Sequence, residues 1–133
     1  AAEYGVADNG AAAGEAPLSL DMAAGTLAAA QAPAALDDGL YVNNLWYLNW
    51  SDRNAARLTG MTRFATFWTE GGRVQAPVNV MRFDETLYHL LGTGLVALTQ
   101  ERELLLDPQS YAARSCASAR LPGLLVRDLS FTL

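Results

Sequence analysis

The sequence contains no lysine, and all nine of its basic residues are arginines. Together with the abundance of alanine, this reads as the codon usage of a GC-rich genome, so the arginine count says little about function. Histidine and cysteine occur once each, as His89 and Cys116. A single cysteine excludes an intrachain disulfide and fits a reducing compartment. A single histidine excludes every catalytic scheme that needs two, including a His-Glu-x-x-His metal helix. Charged residues make up only 17% of the chain, yet no apolar run approaches the roughly 20 residues of a membrane span. Ser110, Ser115 and Ser118 lack the G-x-S-x-G elbow of a hydrolase nucleophile.

A length of 133 residues fits one domain with a modest core. The first residues have neither a cationic start nor an apolar stretch, so no secretory signal is read there and cytoplasm is the expected location. The chain opens Ala-Ala-Glu, which suggests a piece of something longer, although methionine removal before alanine gives the same start. Charge is unevenly placed. Residues 1–40 hold Glu3, Asp8, Glu15, Asp21, Asp37 and Asp38 and no arginine, whereas the rest is nearly balanced. Without a basic stripe, direct nucleic-acid binding is not expected.

Residues 1–38, rich in Ala, Gly and Pro, form an acidic arm or linker that orders only by packing on something else, with a short helix around 25–36. From Gly39 the texture changes. Strands are expected at 39–50 and 57–69, the second bent near Gly60, joined by a turn at Ser51-Asp52-Arg53-Asn54. Paired glycines in Glu70-Gly71-Gly72-Arg73 supply the positive φ angles of a tight hairpin. Pro77 splits the third run into 73–76 and 78–83. Asp84 as N-cap, Glu85 in the first turn and Leu87, Leu90 and Leu91 at helical spacing predict a helix over 85–91. A strand or irregular piece at 94–99, a polar stretch to Arg120 and a last strand at 124–133 complete a mainly β, α+β fold: a curved antiparallel sheet with one short helix and an extended N-terminal arm.

Few residues invite a chemical role. His89 reads as a packing or partly exposed surface histidine. Cys116 stands between Arg114 and Arg120, which favour a thiolate, but a lone thiol without a neighbouring histidine is weak evidence for a nucleophile. Arg63 interrupts an apolar, strand-like segment and needs a partner, either an acid such as Glu70 or Asp84 or a ligand. In Asn43-Asn44-Leu45-Trp46-Tyr47-Leu48-Asn49-Trp50, amides and aromatics share one strand. Asn43, Asn44, Trp46, Tyr47 and Arg63 are therefore the candidate peptide-binding or interface residues, with the amides alternatively satisfying nearby backbone groups. No catalytic or metal-ligating residue is assigned.

The order Gly39-Leu40-Tyr41-Val42, Leu45-Trp46-Tyr47, Leu58-Thr59-Gly60-Met61-Thr62-Arg63, Phe67-Trp68-Thr69-Glu70-Gly71-Gly72-Arg73-Val74, Pro77-Val78 and Met81-Arg82-Phe83 resembles the C-terminal part of TldD/PmbA proteins. The tail Leu121-Pro122-Gly123-Leu124-Leu125-Val126-Arg127-Asp128-Leu129-Ser130-Phe131 resembles that family's closing strand, so the likeness covers roughly 39–131.

The resemblance implies a cytoplasmic protein of a family once labelled modulators of DNA gyrase, whose better understood members are zinc-dependent proteases acting on peptides. Their zinc helix lies upstream of the matching region. Zinc is accordingly expected in the parent, if at all, and no cofactor in this chain. Some active members take a further ligand from a C-terminal cysteine. The closing strand registers that position near Asp107–Gln109, where no cysteine stands, so the role does not pass to Cys116 and an atypical or metal-free member is favoured.

The resemblance and the residues together lead to a C-terminal scaffold domain that shapes a peptide-binding cleft and a subunit interface and is not catalytic alone. Its expected partners are the N-terminal domain of the same protein, a homo- or hetero-oligomeric family partner and a peptide. The competing reading is an independent, non-enzymatic interaction module with a Trp/Tyr surface.

Overall fold

The computed structural model describes residues 2–7, 19–108, 110–111 and 117–132. Its centre is a three-stranded antiparallel meander, in which the strand-rich runs 39–52, 57–70 and 73–86 lie side by side. Each run is interrupted at the same level, so that the ribbon counts as two sheets. In one, β2 (Gly39–Val42), β5 (Thr66–Glu70) and β6 (Arg73–Pro77) pair in the order β2-β5-β6. In the other, β3 (Leu45–Asp52), β4 (Arg57–Thr62), β7 (Arg82–Thr86) and β10 (Phe131–Thr132) pair in the order β10-β7-β4-β3.

The backbone ladder continues across the gap. Val42 faces Thr66 on one side and Leu45 faces Thr62 on the other. Between them the Asn43 N–H donates to the Ala65 carbonyl at 3.2 Å, and the Arg63 N–H to the Asn44 carbonyl at 3.1 Å. On the opposite side the Val78 N–H reaches Thr66 O, while Thr62 takes both backbone groups of Met81, donating to its carbonyl at 2.8 Å and accepting from its N–H through Oγ1 at 2.9 Å. Thr62 and Thr66 are buried because their hydroxyls and backbone hold this corner. Buried polar groups are tolerated where hydrogen-bonded. The Thr69 hydroxyl, fully buried, has no such partner among the described residues.

The bend therefore falls at 63–65, where Ala65 adopts a φ of 56°, and not at Gly60, which stays inside β4. At Gly71 and Gly72 the φ angles are 54° and 73°, as the tight hairpin requires. Asp52 closes the other turn by accepting the N–H groups of Asn54 and Ala55.

Four expected elements are corrected, the first being the strand at 78–83, of which only 82–83 is strand, within β7. Asp84 and Glu85 do not open a helix. They lie in β7, paired with Thr59 and Leu58, because sheet pairing overrides a local capping signal. A helical segment follows only at 87–93, ending in a π-helical turn at His89–Thr93. Much of the described part of the supposed polar stretch after 99 is strand: β8 (Leu95–Leu106) and β9 (Ser118–Val126) form a hairpin in a third sheet, so 124–126 ends β9 and only Phe131–Thr132 returns to the meander as β10. Thr99 shapes the irregularity in β8, its Oγ1 donating to Glu101 O and accepting from Gly123 N–H, both at 2.7 Å.

Within the first 38 residues, β1 (Ser19–Asp21) runs parallel to β9, and Asp21 ion-pairs with Arg102 and Arg120. Leu27 then bridges to Thr99. A short helix, α1 (Ala32–Leu36), leads to Asp37 and Asp38, which accept the Gly72 and Gly71 N–H groups.

The apolar core is small. Apart from Pro122, Phe83 is the one buried apolar side chain among the described residues, at 3% exposure. It packs where Gly60 leaves room: a Cβ at Gly60 would stand 2.7 Å from Leu48 Cδ2 and 2.8 Å from Phe83 Cε1. Gly60→Ala is therefore expected to destabilise the domain by about 1–3 kcal/mol through overpacking. Gly92→Ala, with open space around the new methyl, should change the denaturation midpoint little.

Candidate functional site

β3 is an edge strand rich in large apolar side chains. All eight of its residues are exposed, and only its β4 side is paired, which leaves the other backbone edge open among the described residues. Trp46 is 55% and Tyr47 71% exposed, and Leu45, Leu48 and Trp50 are exposed too. β2 occupies the corresponding edge of its own sheet, so the free edge continues along 39–52.

Cross-strand register assigns side chains to the two faces of this sheet. Leu45 with Thr62, Trp50 with Leu58 and Glu85, and Gly60 with Phe83 and Phe131 share one face. Trp46, Met61 and Arg82 form a row on the other, followed by Asn49, Thr59 and Asp84. The ladder slips between Trp46 and Asn49, and Tyr47 there has a φ of 58°, a costly conformation for an aromatic residue. This bulge turns Tyr47 outward beside a cleft of about 180 Å³ lined by Tyr47, Asn49, Thr59, Gly60, Met61 and Arg82.

Arg63 is not a buried cation. It projects from the exposed bend, its guanidinium 4.2 Å from the Trp46 ring centre and 5.5 Å from that of Phe64. Neither expected acid pairs with it, since Asp84 is taken by Arg57 at 3.2 Å. The stacking restrains both Arg63 and Trp46. Asn43 and Asn44 join them at the bend through their backbones, and their side-chain amides make no hydrogen bond among the described residues. The five candidates thus gather at one end of the open strand. Arg82 and Thr59, which line the cleft, are not among them; the signal that finds them is the strand register, which sets Arg82 opposite Met61 and Thr59 opposite Asn49.

His89 is engaged structurally. Its Nε2 lies 2.7 Å from the Arg127 carbonyl, and Nδ1 lies 3.3 Å from the Thr93 hydroxyl. Beside it, Glu85 is only 9% exposed. Its carboxyl is held below the ordinary carboxylate range, first by the Thr86 N–H at 2.8 Å, against the opposing effect of burial, with further help from His89, the Ser130 hydroxyl and Arg57. Together these groups tie β7 and the 87–93 turn to the segment before β10.

No three His, Cys, Asp or Glu side chains cluster as a metal site among the described residues, and Cys116, with Arg114 and Ser115, lies outside them. With its one histidine hydrogen-bonded, the described donor set does not fit zinc.

A family model for the PmbA/TldA metallopeptidase C-terminal domain matches residues 1–133. The chain belongs to that family. The match takes in the first 38 residues of this PmbA/TldA domain as well as the 39–131 region whose motifs carry the resemblance. No curated protein matches it.

The depressed Glu85 value has a definite pH consequence. A carboxyl whose folded pKa lies below its unfolded one stabilises the domain above the unfolded value, about 4.3, and that contribution disappears as pH falls through the folded value. Glu85→Gln should lower the melting temperature at pH 7 by roughly 3 °C, for a loss of about 1 kcal/mol. The variant and the parent should converge in strong acid.

Proposed function

We propose that this PmbA/TldA domain is a scaffold: it shapes a peptide-binding cleft and a subunit interface and performs no hydrolysis alone. The observation that carries the reading is the open 39–52 edge, with Trp46, Tyr47, Leu48 and Trp50 exposed beside it. An uncovered strand edge next to large apolar side chains is an association surface, and soluble chains normally cover or charge such edges. The described part of the first 38 residues does not pair with that edge; β1 lies on β9 instead.

The surfaces that would cover it are the N-terminal domain of the same protein and a family partner, in a homo- or hetero-oligomer. A peptide lying along the edge would gain main-chain hydrogen bonds whatever its sequence. Zinc, where the parent uses it, would be held outside this chain, and the compartment we assign is the cytoplasm. Trp46, Tyr47 and Arg63 would form the contact surface, with Asn43 and Asn44 offering free amides beside it.

Sedimentation over a range of concentrations tests this. The isolated chain should self-associate, and Trp46→Glu should weaken association at least tenfold, about 1.4 kcal/mol or more. A chain that stays monomeric at high concentration would remove the interface and the scaffold role with it.

A further inference from the structure

We propose that the cleft beside Tyr47 is a carboxylate-binding subsite with Arg82 as its anchor. This deepens the scaffold reading, on which it rests for the peptide that would present the carboxylate.

The hydrogen bonds already made inside the cleft decide what it can still bind. The Asn49 Oδ1 accepts the Trp50 N–H at 2.8 Å, which leaves the amide NH₂ group to donate. The Thr59 hydroxyl donates its proton to the Phe83 carbonyl at 3.0 Å. The Tyr47 hydroxyl has no partner among the described residues, and the Arg82 guanidinium has neither a hydrogen bond nor an ion pair there. The acid next along this face, Asp84, is engaged elsewhere, ion-paired with Arg57 at 3.2 Å and accepting the Ser51 hydroxyl at 3.3 Å. The cleft therefore offers a guanidinium, an amide and a phenol as donors, and its acceptors, the oxygens of Tyr47, Asn49 and Thr59, are all uncharged.

A largely apolar cleft with one cation and no carboxylate in its lining fits an anion carried on carbon, and the planar arginine fork matches a carboxylate through two parallel hydrogen bonds. One arginine balances one negative charge. On a chain of net charge −5, a monoanion is favoured over a phosphate dianion. The Met61 side chain and the Tyr47 ring supply apolar walls for the carbon atoms next to the carboxylate. A peptide can present this group as its C-terminus or as an Asp or Glu side chain.

The three methionines give the assay its probes, because Met61 lines the cleft while Met22 lies beside β9 in the third sheet. Methyl NMR on the full chain would be titrated with acetyl-trialanine, its C-terminal amide, and acetyl-Ala-Glu-Ala-amide. Acetyl-trialanine, the Glu peptide or both should shift the Met61 methyl saturably, leave Met22 in place, and bind about tenfold more tightly than trialanine amide. Whichever of the two acids binds identifies the terminus or the side chain as the source. Arg82→Gln should abolish the selectivity for the acid with an unchanged melting temperature, and Arg82→Lys should retain part of it. Equal response to acid and amide, wild-type binding by Arg82→Gln, or no saturable shift by about 20 mM would overturn the proposal. Self-association without a Met61 response removes the subsite alone. A Met61 response in a strictly monomeric chain removes the interface and leaves the subsite.

Discussion

The structure depends on one unbroken backbone ladder that crosses a bend. Thr62 and Thr66 stand at the corner: the Thr62 hydroxyl and both main chains tie the middle run to 73–86, the Thr66 hydroxyl closes the bend onto the Arg63 carbonyl, and the backbones of Arg63 and Ala65 reach 39–52. Because those bonds continue where regular pairing stops, 39–52, 57–70 and 73–86 fold as one curved unit although they lie in two sheets. Position along that curve then decides the environment of each side chain. Phe83 and Gly60 meet inside, while Trp46, Met61 and Arg82 stand in a row outside.

The same constraint explains why so much apolar surface remains open. A meander has two outer strands, and no described strand pairs with the outer side of β2 or β3. β10 covers part of the opposite edge, and the β8–β9 hairpin takes β1 as its own third strand. The exposed strand is also the one with the strained Tyr47 bulge and the Arg63–Trp46 stack. Bulges re-aim side chains and often lie near binding sites. Here the bulge places the Tyr47 ring at the cleft, beside unpaired donors.

Much of this fold is legible in the sequence because the signals are local. Gly71-Gly72 announces its hairpin, Pro77 marks the break in the third strand, and the dense apolar and aromatic run after Gly39 is strand as it reads. The features that escape a sequence reading depend on partners distant in the chain. Asp84 and Glu85 look like the start of a helix until β4 pairs with them, and Arg102 and Glu103 look like part of a polar stretch until β9 does. Arg63 seems to demand an acid when its segment is taken as buried, whereas the bend turns it outward onto Trp46. Arg82 carries no signal of its own, since its place opposite Met61 exists only once the register is set.

The scaffold role requires a 39–52 edge that is open in this domain and covered in the assembled parent protein. Amide hydrogen exchange reports on both states, because an unpaired edge amide exchanges far faster than one in a ladder. In dilute isolated domain, the amides of 39–52 that point away from β4 and β5 should exchange quickly while their inward neighbours are protected. In the full-length protein and its oligomer, those outward amides should become protected. Rapid exchange that persists in the assembled protein, or protection already complete in the dilute isolated domain, would overturn the scaffold role.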